Sequence, residues 1–212
     1  MQELSDQDSQ IKEIKIAEKK DQLGNPGPSL TFIFTMLTME FWGIYAGIFT
    51  GTTIMAVGIV QIACFIPYLI GAILFFCKGD STNGNVFLIF ATLFGGVGGL
   101  TNITIGFSDI MGWQICTQMT ALPFILGGIS ILPVLWVSRK SADKVTVICY
   151  LAAACFLTLT GFVSLNILST NWNSFIQWFG LIVTITGLYS CINGLLLGGG
   201  SRGLPVGKPF FK

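Results

Sequence analysis

Glu40 is the one charged residue inside the long apolar runs of this 212-residue chain. An ionised carboxylate at the centre of a membrane costs about 2.5 to 3.5 kcal/mol on insertion scales, so such a residue is expected to be functional, paired or protonated. Two roles stay open for Glu40. One is proton coupling, and the other is a hydrogen bond between helices or subunits, made by the neutral acid.

Other reactive side chains are scarce or scattered. The chain contains no histidine, and its six cysteines form no C-x-x-C pair. A metal site is therefore not expected, and histidine-based acid–base or nucleophilic catalysis is excluded. The sequence also lacks a G-x-x-x-x-G-K-[ST] loop that would hold a nucleotide. We predict a protein that is not an enzyme, uses no cofactor and binds no nucleic acid.

The tetrapeptide NPGP, residues 25–28, precedes the first apolar run. Asn25 suits a helix N-cap, and Pro26 and Pro28 suit the first turn, where backbone N–H groups have no acceptor within the helix. The same free N–H groups and the helix dipole favour an anion. The tetrapeptide is consistent with a cap alone and with a cap that also receives an anion.

Membrane-spanning helices must position these residues. The chain is 52% hydrophobic and 10% charged, with a mean hydropathy of +0.76, whereas an average soluble domain has roughly 25% charged residues. Six apolar runs are long enough to cross the hydrocarbon core as helices. They are 29–50, 54–76, 85–106, 114–137, 145–168 and 175–198. We predict an all-α integral membrane protein, with a six-transmembrane-helix bundle over residues 24–200.

Positive charges are confined to alternate segments. Lysine and arginine occur in the N-terminal tail, the 2–3 loop, the 4–5 loop and the C-terminal tail, and the other three loops have none. The positive-inside rule therefore places both termini in the cytoplasm of a multi-pass cell-membrane protein. Residues 1–23 are expected to form a polar tail that is disordered or a short amphipathic helix, and residues 201–212 a second cytoplasmic tail.

The first helix has two different faces. A rotation of about 100° per residue brings one set of residues to one side: Thr31, Phe34, Thr38, Phe41 and Tyr45. The opposite side carries Met36, Glu40, Gly43, Gly47 and Gly51. The glycine spacing predicts close helix packing, as do Gly95 to Gly99 and Gly194 to Gly198. Hydroxyl and amide groups elsewhere in the spans fit interhelical hydrogen bonds or a weakly polar pore.

Several ordered motifs resemble the acetate/succinate transporter family of the YaaH type. NPGPSLT at residues 25–31 is similar to that family's N-P-A-P-L-G-L, and Phe34 falls on a family phenylalanine. CKGDSTNG after the second run is similar to K-K-G-N-T-F-G, with one residue inserted. The last run, FIQWFGLIVTITGLY, and the tail GGGSRGLPVGKP resemble the family's closing motifs.

This resemblance implies transport of acetate and other short mono- and dicarboxylates such as succinate, by a channel-like or proton-coupled route. It also implies a homo-oligomeric ring in the bilayer, a hexamer in the family, with one pathway in each subunit. Substrate entry would fall to Asn25, Pro26 and Pro28, and Thr31 and Thr38, on the same helix face as Phe34, are further candidates for substrate binding. The pore constriction would be formed by Phe34, Phe90 and Leu151, with Ala91 as the alternative to Phe90 and the neighbours of Leu151 as alternatives on the fifth helix. The charge and depth of Glu40, and not the resemblance, make it the candidate proton-linked residue.

The chain departs from the family pattern within the first helix. Glu40 replaces an apolar residue, and Trp42 and Tyr45 replace asparagines, so the preferred substrate can differ from acetate. Two other classes stay open from the sequence. One is a channel for a neutral solute such as ammonia, urea or undissociated acid, and the other is a membrane organiser that transports nothing.

Overall fold

The computed structural model describes residues 23–49 and 53–210, which are helical with short connections and contain no strand. The tail up to residue 22, predicted to be disordered or amphipathic, lies outside the described residues. The helices are α1 (Gly27–Tyr45), α2 (Thr53–Cys77), α3 (Ser81–Phe90), α4 (Gly99–Met111), α5 (Ala121–Ser138), α6 (Lys144–Ser164) and α7 (Asn173–Gly198). A π-helical segment, Ala91–Gly98, joins α3 to α4 without a break.

The predicted all-α, six-helix architecture is confirmed, because α3, the π-helical segment and α4 form one long span. Within the described residues, five helical spans are long and apolar enough to cross a membrane: Thr53–Cys77, Ser81–Met111, Ala121–Ser138, Lys144–Ser164 and Thr170–Gly198. α1 has 19 residues but is less apolar, since threonines, a proline and Glu40 interrupt it. The cytoplasmic placement of the termini stays a prediction.

Some helix ends differ from the apolar runs. The third span continues to Met111, five residues beyond the predicted end at 106, and Gly112 then ends it in the left-handed conformation with φ of 68°. Within this extension the Ser108 hydroxyl donates to the carbonyl of Ile105 (2.7 Å), so its polar group has a partner inside the helix. Hydropathy alone ends the span before these polar residues, although a serine whose hydroxyl bonds to a carbonyl of its own helix is compatible with a helical position.

Glycines set the closest helix contacts. On α7, Gly180, Gly187 and Gly194 recur every seventh residue. A β-carbon at Gly187 or Gly194 would clash with Thr35 or Pro28 of α1, and one at Gly180 would lie 3.1 Å from the Phe156 ring of α6. Gly95 and Gly99 pack in the same way against Phe65 and Ile62 of α2, which confirms the packing predicted for that pair. Small residues at such contacts let helix backbones approach closely.

The glycine groove predicted on α1 is not formed within the described chain. Gly43 is covered by the ring of Phe49, which follows α1, rather than by another helix. Gly47 lies beyond the end of α1 in a turn with φ of 71°, and Gly51 lies outside the described residues. At the other predicted pair, Gly194 contacts Pro28, but nothing lies within 4 Å of the β-carbon position of Gly198.

Candidate functional site

The predicted polar and aromatic face of α1 points into the bundle. Phe34, Thr38 and Phe41 are buried, and Thr31 and Tyr45 at the two ends are partly buried. The helix starts within the predicted tetrapeptide, although its N-cap residue is Pro26 and not Asn25 as predicted. Pro26 already has helical dihedral angles, and the side-chain oxygen of Asn25 accepts a hydrogen bond from the N–H of Gly27 (3.0 Å), one of the N–H groups that lack a helical acceptor.

Two phenylalanine rings close the interior at one level. Phe34 of α1 and Phe90 of α3 stack with their centroids 5.1 Å apart and their planes inclined by 14°. Phe90 also contacts the rings of Phe94 (5.3 Å) and Tyr68 (6.5 Å). Tyr68 is completely buried, and its hydroxyl has no hydrogen-bond partner among the described residues. The structure thus brings together two of the three residues expected at the constriction.

An open polar cavity of about 400 Å³ leads to this aromatic cluster. We call it the vestibule, and its lining is Asn25, Gly27, Thr31, Phe75, Lys78, Asp80, Asn83, Phe87 and Tyr150. The rings of Phe75 and Phe87 stack at 5.5 Å and form its apolar part, and Phe87 continues to Tyr68 at 6.1 Å. The vestibule therefore joins polar groups at the start of α1 to the rings around Phe90.

Local hydrogen bonds hold the polar lining of the vestibule. The Thr31 hydroxyl donates to the Gly27 carbonyl (2.9 Å). Asp80 caps α3, because its carboxylate accepts from the Asn83 backbone N–H (3.0 Å) and from the Asn83 side-chain amide (2.7 Å). The Lys78 ammonium donates to the Leu23 carbonyl (3.2 Å). These bonds place one positive and one negative side chain at the same cavity.

Beyond the Phe34–Phe90 stack the interior is closed. A cavity of about 10 Å³ remains there, which is about the space of one water-sized probe. Its lining is Phe34, Leu37, Thr38, Phe41, Phe94, Phe124, Phe156 and Leu157. Thr38 supplies the only hydroxyl of this lining. That hydroxyl bonds to the carbonyls of Phe34 (3.0 Å) and Thr35 (2.9 Å) and lies 3.3 Å from the hydroxyl of Thr184 on α7.

Three of the predicted site residues lie away from the vestibule, the Phe34–Phe90 stack and the inner cavity. Leu151 is 48% exposed on α6 and lines an outer groove with Trp136 and Arg139, whereas the leucine of α6 that faces Phe34 is Leu157. Pro28 packs against Gly194 and borders a separate surface cavity between α1 and α7. Glu40 is partly buried and lines neither the vestibule nor the inner cavity. One of its carboxylate oxygens is enclosed without a hydrogen-bond partner among the described residues.

The interpretation of the sequence missed the vestibule residues Lys78, Asp80 and Asn83 and a buried amide pair. Asn102 of α4 donates its side-chain N–H to the side-chain oxygen of Gln61 on α2 (2.7 Å). Gln61 is fully buried, and its own amide nitrogen has no partner in the described part of the chain. Its spacing of seven from Tyr68, two helical turns, is a signal that could have placed both residues on one inner face.

Comparison with known proteins supports the fold. No protein-family model matches this chain, and a search of curated proteins gives no match. Among solved structures, the bacterial acetate channel SatP matches with a TM-score of 0.71 at 20% identity, over 88% of this chain and 100% of that chain. The resemblance found in the motifs is thereby confirmed at the level of the fold, which this chain shares with a bacterial acetate channel.

Proposed function

We propose that this chain carries acetate and other short mono- and dicarboxylates, such as succinate, across the cell membrane through the interior of its helix bundle. The observation that supports this most is the contact between the vestibule and the ring stack. Lys78 and Phe87 line the vestibule, and the Phe87 ring contacts Phe90, which stacks on Phe34. The fold shared with an acetate channel agrees with it.

The route follows from the order of these groups. A carboxylate enters beside Lys78, Asn25 and Thr31 and loses water as it passes the Phe75–Phe87 stack. Separation of Phe34 from Phe90 then opens the way to the Thr38 hydroxyl. The unpartnered hydroxyl of Tyr68, beside Phe90, offers a hydrogen bond at the narrowest level. Hydroxyl groups bind a passing anion weakly, whereas a buried cation would retain it.

Passage is channel-like in this proposal, because Glu40 lies off the route. Glu40 is the one charged residue within the long apolar runs, and it lines neither the vestibule nor the inner cavity beyond the ring stack. We assign Glu40 to a hydrogen bond between helices or between subunits. A homo-oligomeric ring fits this assignment, since each chain contains its own vestibule and ring stack and its outer surface is largely apolar.

Flux into liposomes tests the proposal. Purified protein is reconstituted, and uptake of labelled acetate, succinate and urea is compared with and without a pH gradient. We expect acetate and succinate uptake above that of protein-free vesicles and no urea uptake. Urea passage without carboxylate passage would establish the neutral-solute channel instead, and absence of all three fluxes would favour a membrane organiser. Chemical cross-linking of the same vesicles reports the number of subunits.

A further inference from the structure

We propose that Lys78 is the carboxylate-binding residue of the vestibule and that the neighbouring Asp80 makes this site selective for monoanions over dianions. The inference deepens the proposed function and rests on it for the identity of the substrate. Its electrostatic part can be measured without any transport.

Lys78 is a cation that the described protein leaves largely unsatisfied. Its ammonium carries three donors, and one of them bonds to the Leu23 carbonyl at 3.2 Å. No ion pair to Lys78 occurs among residues 23–49 and 53–210. The side chain is partly buried in the wall of the vestibule, where the local dielectric strengthens its attraction for an anion relative to that in water.

Asp80 cannot neutralise Lys78 by contact, because its carboxylate is held elsewhere. Both of its oxygens accept hydrogen bonds from Asn83, at 3.0 and 2.7 Å, as the N-cap of α3. The carboxylate thus occupies one backbone donor at the N-terminus of α3 and places a negative charge where the helix dipole would otherwise favour an anionic substrate. A substrate carboxylate has Lys78 as its one cationic partner in the vestibule lining and meets the fixed negative charge of Asp80 in the same cavity.

The net charge of the vestibule lining is zero, since Lys78 contributes +1 and Asp80 contributes −1. One carboxylate bound at Lys78 is compensated locally, whereas a second carboxylate on the same molecule has no cation and is repelled by Asp80. The stacked rings of Phe75 and Phe87 line the same cavity. They suit the methyl end of a short monocarboxylate and would desolvate a second charged end at a cost.

A thiol reporter measures this potential directly. Thr31, which lines the vestibule, is changed to cysteine in a chain whose exposed Cys77, Cys116 and Cys155 are replaced by serine. The reaction rates with an anionic and a cationic methanethiosulfonate are compared in Lys78→Gln, Asp80→Asn and, as a control for a remote cation, Lys140→Gln. Lys140 is exposed in the loop after α5. Asparagine is also a good N-cap, so Asp80→Asn removes the charge and keeps the cap.

We expect the anionic-to-cationic rate ratio to fall about fivefold in Lys78→Gln and to rise by a similar factor in Asp80→Asn, the effect of one charge a few ångströms away. Lys140→Gln should leave it unchanged, and sodium acetate should slow the modification unless Lys78 is replaced. A ratio that is the same in wild type and in Lys78→Gln would overturn the inference, whether or not the protein transports carboxylates.

Flux measures the selectivity. In liposomes, Asp80→Asn should raise the succinate-to-acetate uptake ratio about fivefold over wild type, and Lys78→Gln should raise the acetate concentration needed for half-maximal uptake. A second outcome is that acetate passes while Asp80→Asn leaves the succinate-to-acetate uptake ratio unchanged and Lys78→Gln leaves the half-maximal acetate concentration unchanged. In that case the assignment of selectivity to this pair is wrong, and the proposed function stands. If neither carboxylate passes through the wild type, the proposed function fails, and the thiol reporter still decides whether Lys78 attracts anions.

Discussion

Phe34 and Phe90 lie face to face across the bundle, with ring centroids 5.1 Å apart, one on α1 and the other at the last residue of α3. Both rings are almost fully buried. They separate the vestibule, which has room for a hydrated small anion, from an inner cavity with room for about one water molecule. Parallel stacked rings can slide or separate without breaking a hydrogen bond, so this contact suits a gate.

Changing the size of the Phe34 side chain should change the flux. We expect Phe34→Trp to lower acetate uptake by tenfold or more, since about 1.4 kcal/mol of added barrier is sufficient for that factor. Phe34→Leu should raise uptake of longer monocarboxylates relative to acetate. Both are measured in liposomes, after thermal unfolding has shown that the variants fold.

The matched control for this gate is Phe32→Leu, because Phe32 lies on the same helix and is 51% exposed on the outside of the bundle. It should leave uptake unchanged. Equal uptake by wild type, Phe34→Leu and Phe34→Trp would remove the gate from Phe34.

Glu40→Gln should preserve both acetate uptake and its dependence on pH. The amide keeps the shape and hydrogen-bonding groups of a neutral acid, and Glu40 borders neither cavity of the route. Uptake is measured over a series of external pH values, with and without a gradient. Loss of the pH dependence in this variant, with the fold intact, would assign proton coupling to Glu40.

The helical period of α1 allowed its inner face to be predicted. The NPGP cap determines where the helix begins, and a rotation of about 100° per residue then places Phe34, Thr38 and Phe41 together, where the structure has them buried. No comparable motif determines the register of α6. Leu151 and Leu157 are six residues apart and therefore lie on different faces, so the choice of leucine could not be made from the sequence.

Contacts between residues far apart in the chain could not be predicted from the sequence either. The bond from Lys78 to the Leu23 carbonyl joins residues 55 apart, and helical periodicity says nothing about such pairs. The π-helical segment Ala91–Gly98 has no signature other than its glycines, yet its wider turns change the angular relation between Phe90 and residues of α4. The Gln61–Asn102 pair depends on that relation. The sequence shows that each of the two residues is polar, but it does not show that they are partners.

Breaking the Gln61–Asn102 pair should destabilise the bundle. Asn102→Leu leaves the fully buried amide of Gln61 without its remaining partner, which costs about 1 to 3 kcal/mol of unfolding free energy. Unfolding in mixed micelles measures this. Asn85→Leu, at an exposed asparagine of α3, is the control and should change little. The double variant with Gln61→Leu should recover most of the loss, and failure to recover would mean that Asn102 acts through packing alone.

The contact between α1 and α7 should be sensitive to a single methyl group. A β-carbon at Gly187 would clash with the Thr35 hydroxyl, so Gly187→Ala should lower the free energy of unfolding by about 1 to 3 kcal/mol. Gly198→Ala is the control on the same helix, because nothing lies within 4 Å of that position. Equal thermal midpoints for the two variants would show that α7 shifts freely to accept the methyl group.

Two native cysteines can establish the orientation in the membrane. Cys77 ends α2 next to Lys78, Cys116 follows α4, and both are exposed. Because the intervening span crosses the bundle once, the two thiols lie at opposite ends. The segregation of lysine and arginine predicts that Cys77 is cytoplasmic and that Cys116 is outside.

A membrane-impermeant maleimide should therefore label Cys116 in intact cells and Cys77 only after permeabilisation, with Cys116→Ser and Cys77→Ser identifying each signal. The reverse pattern would place both termini outside and would turn the vestibule, with Lys78, into the external entrance of the route.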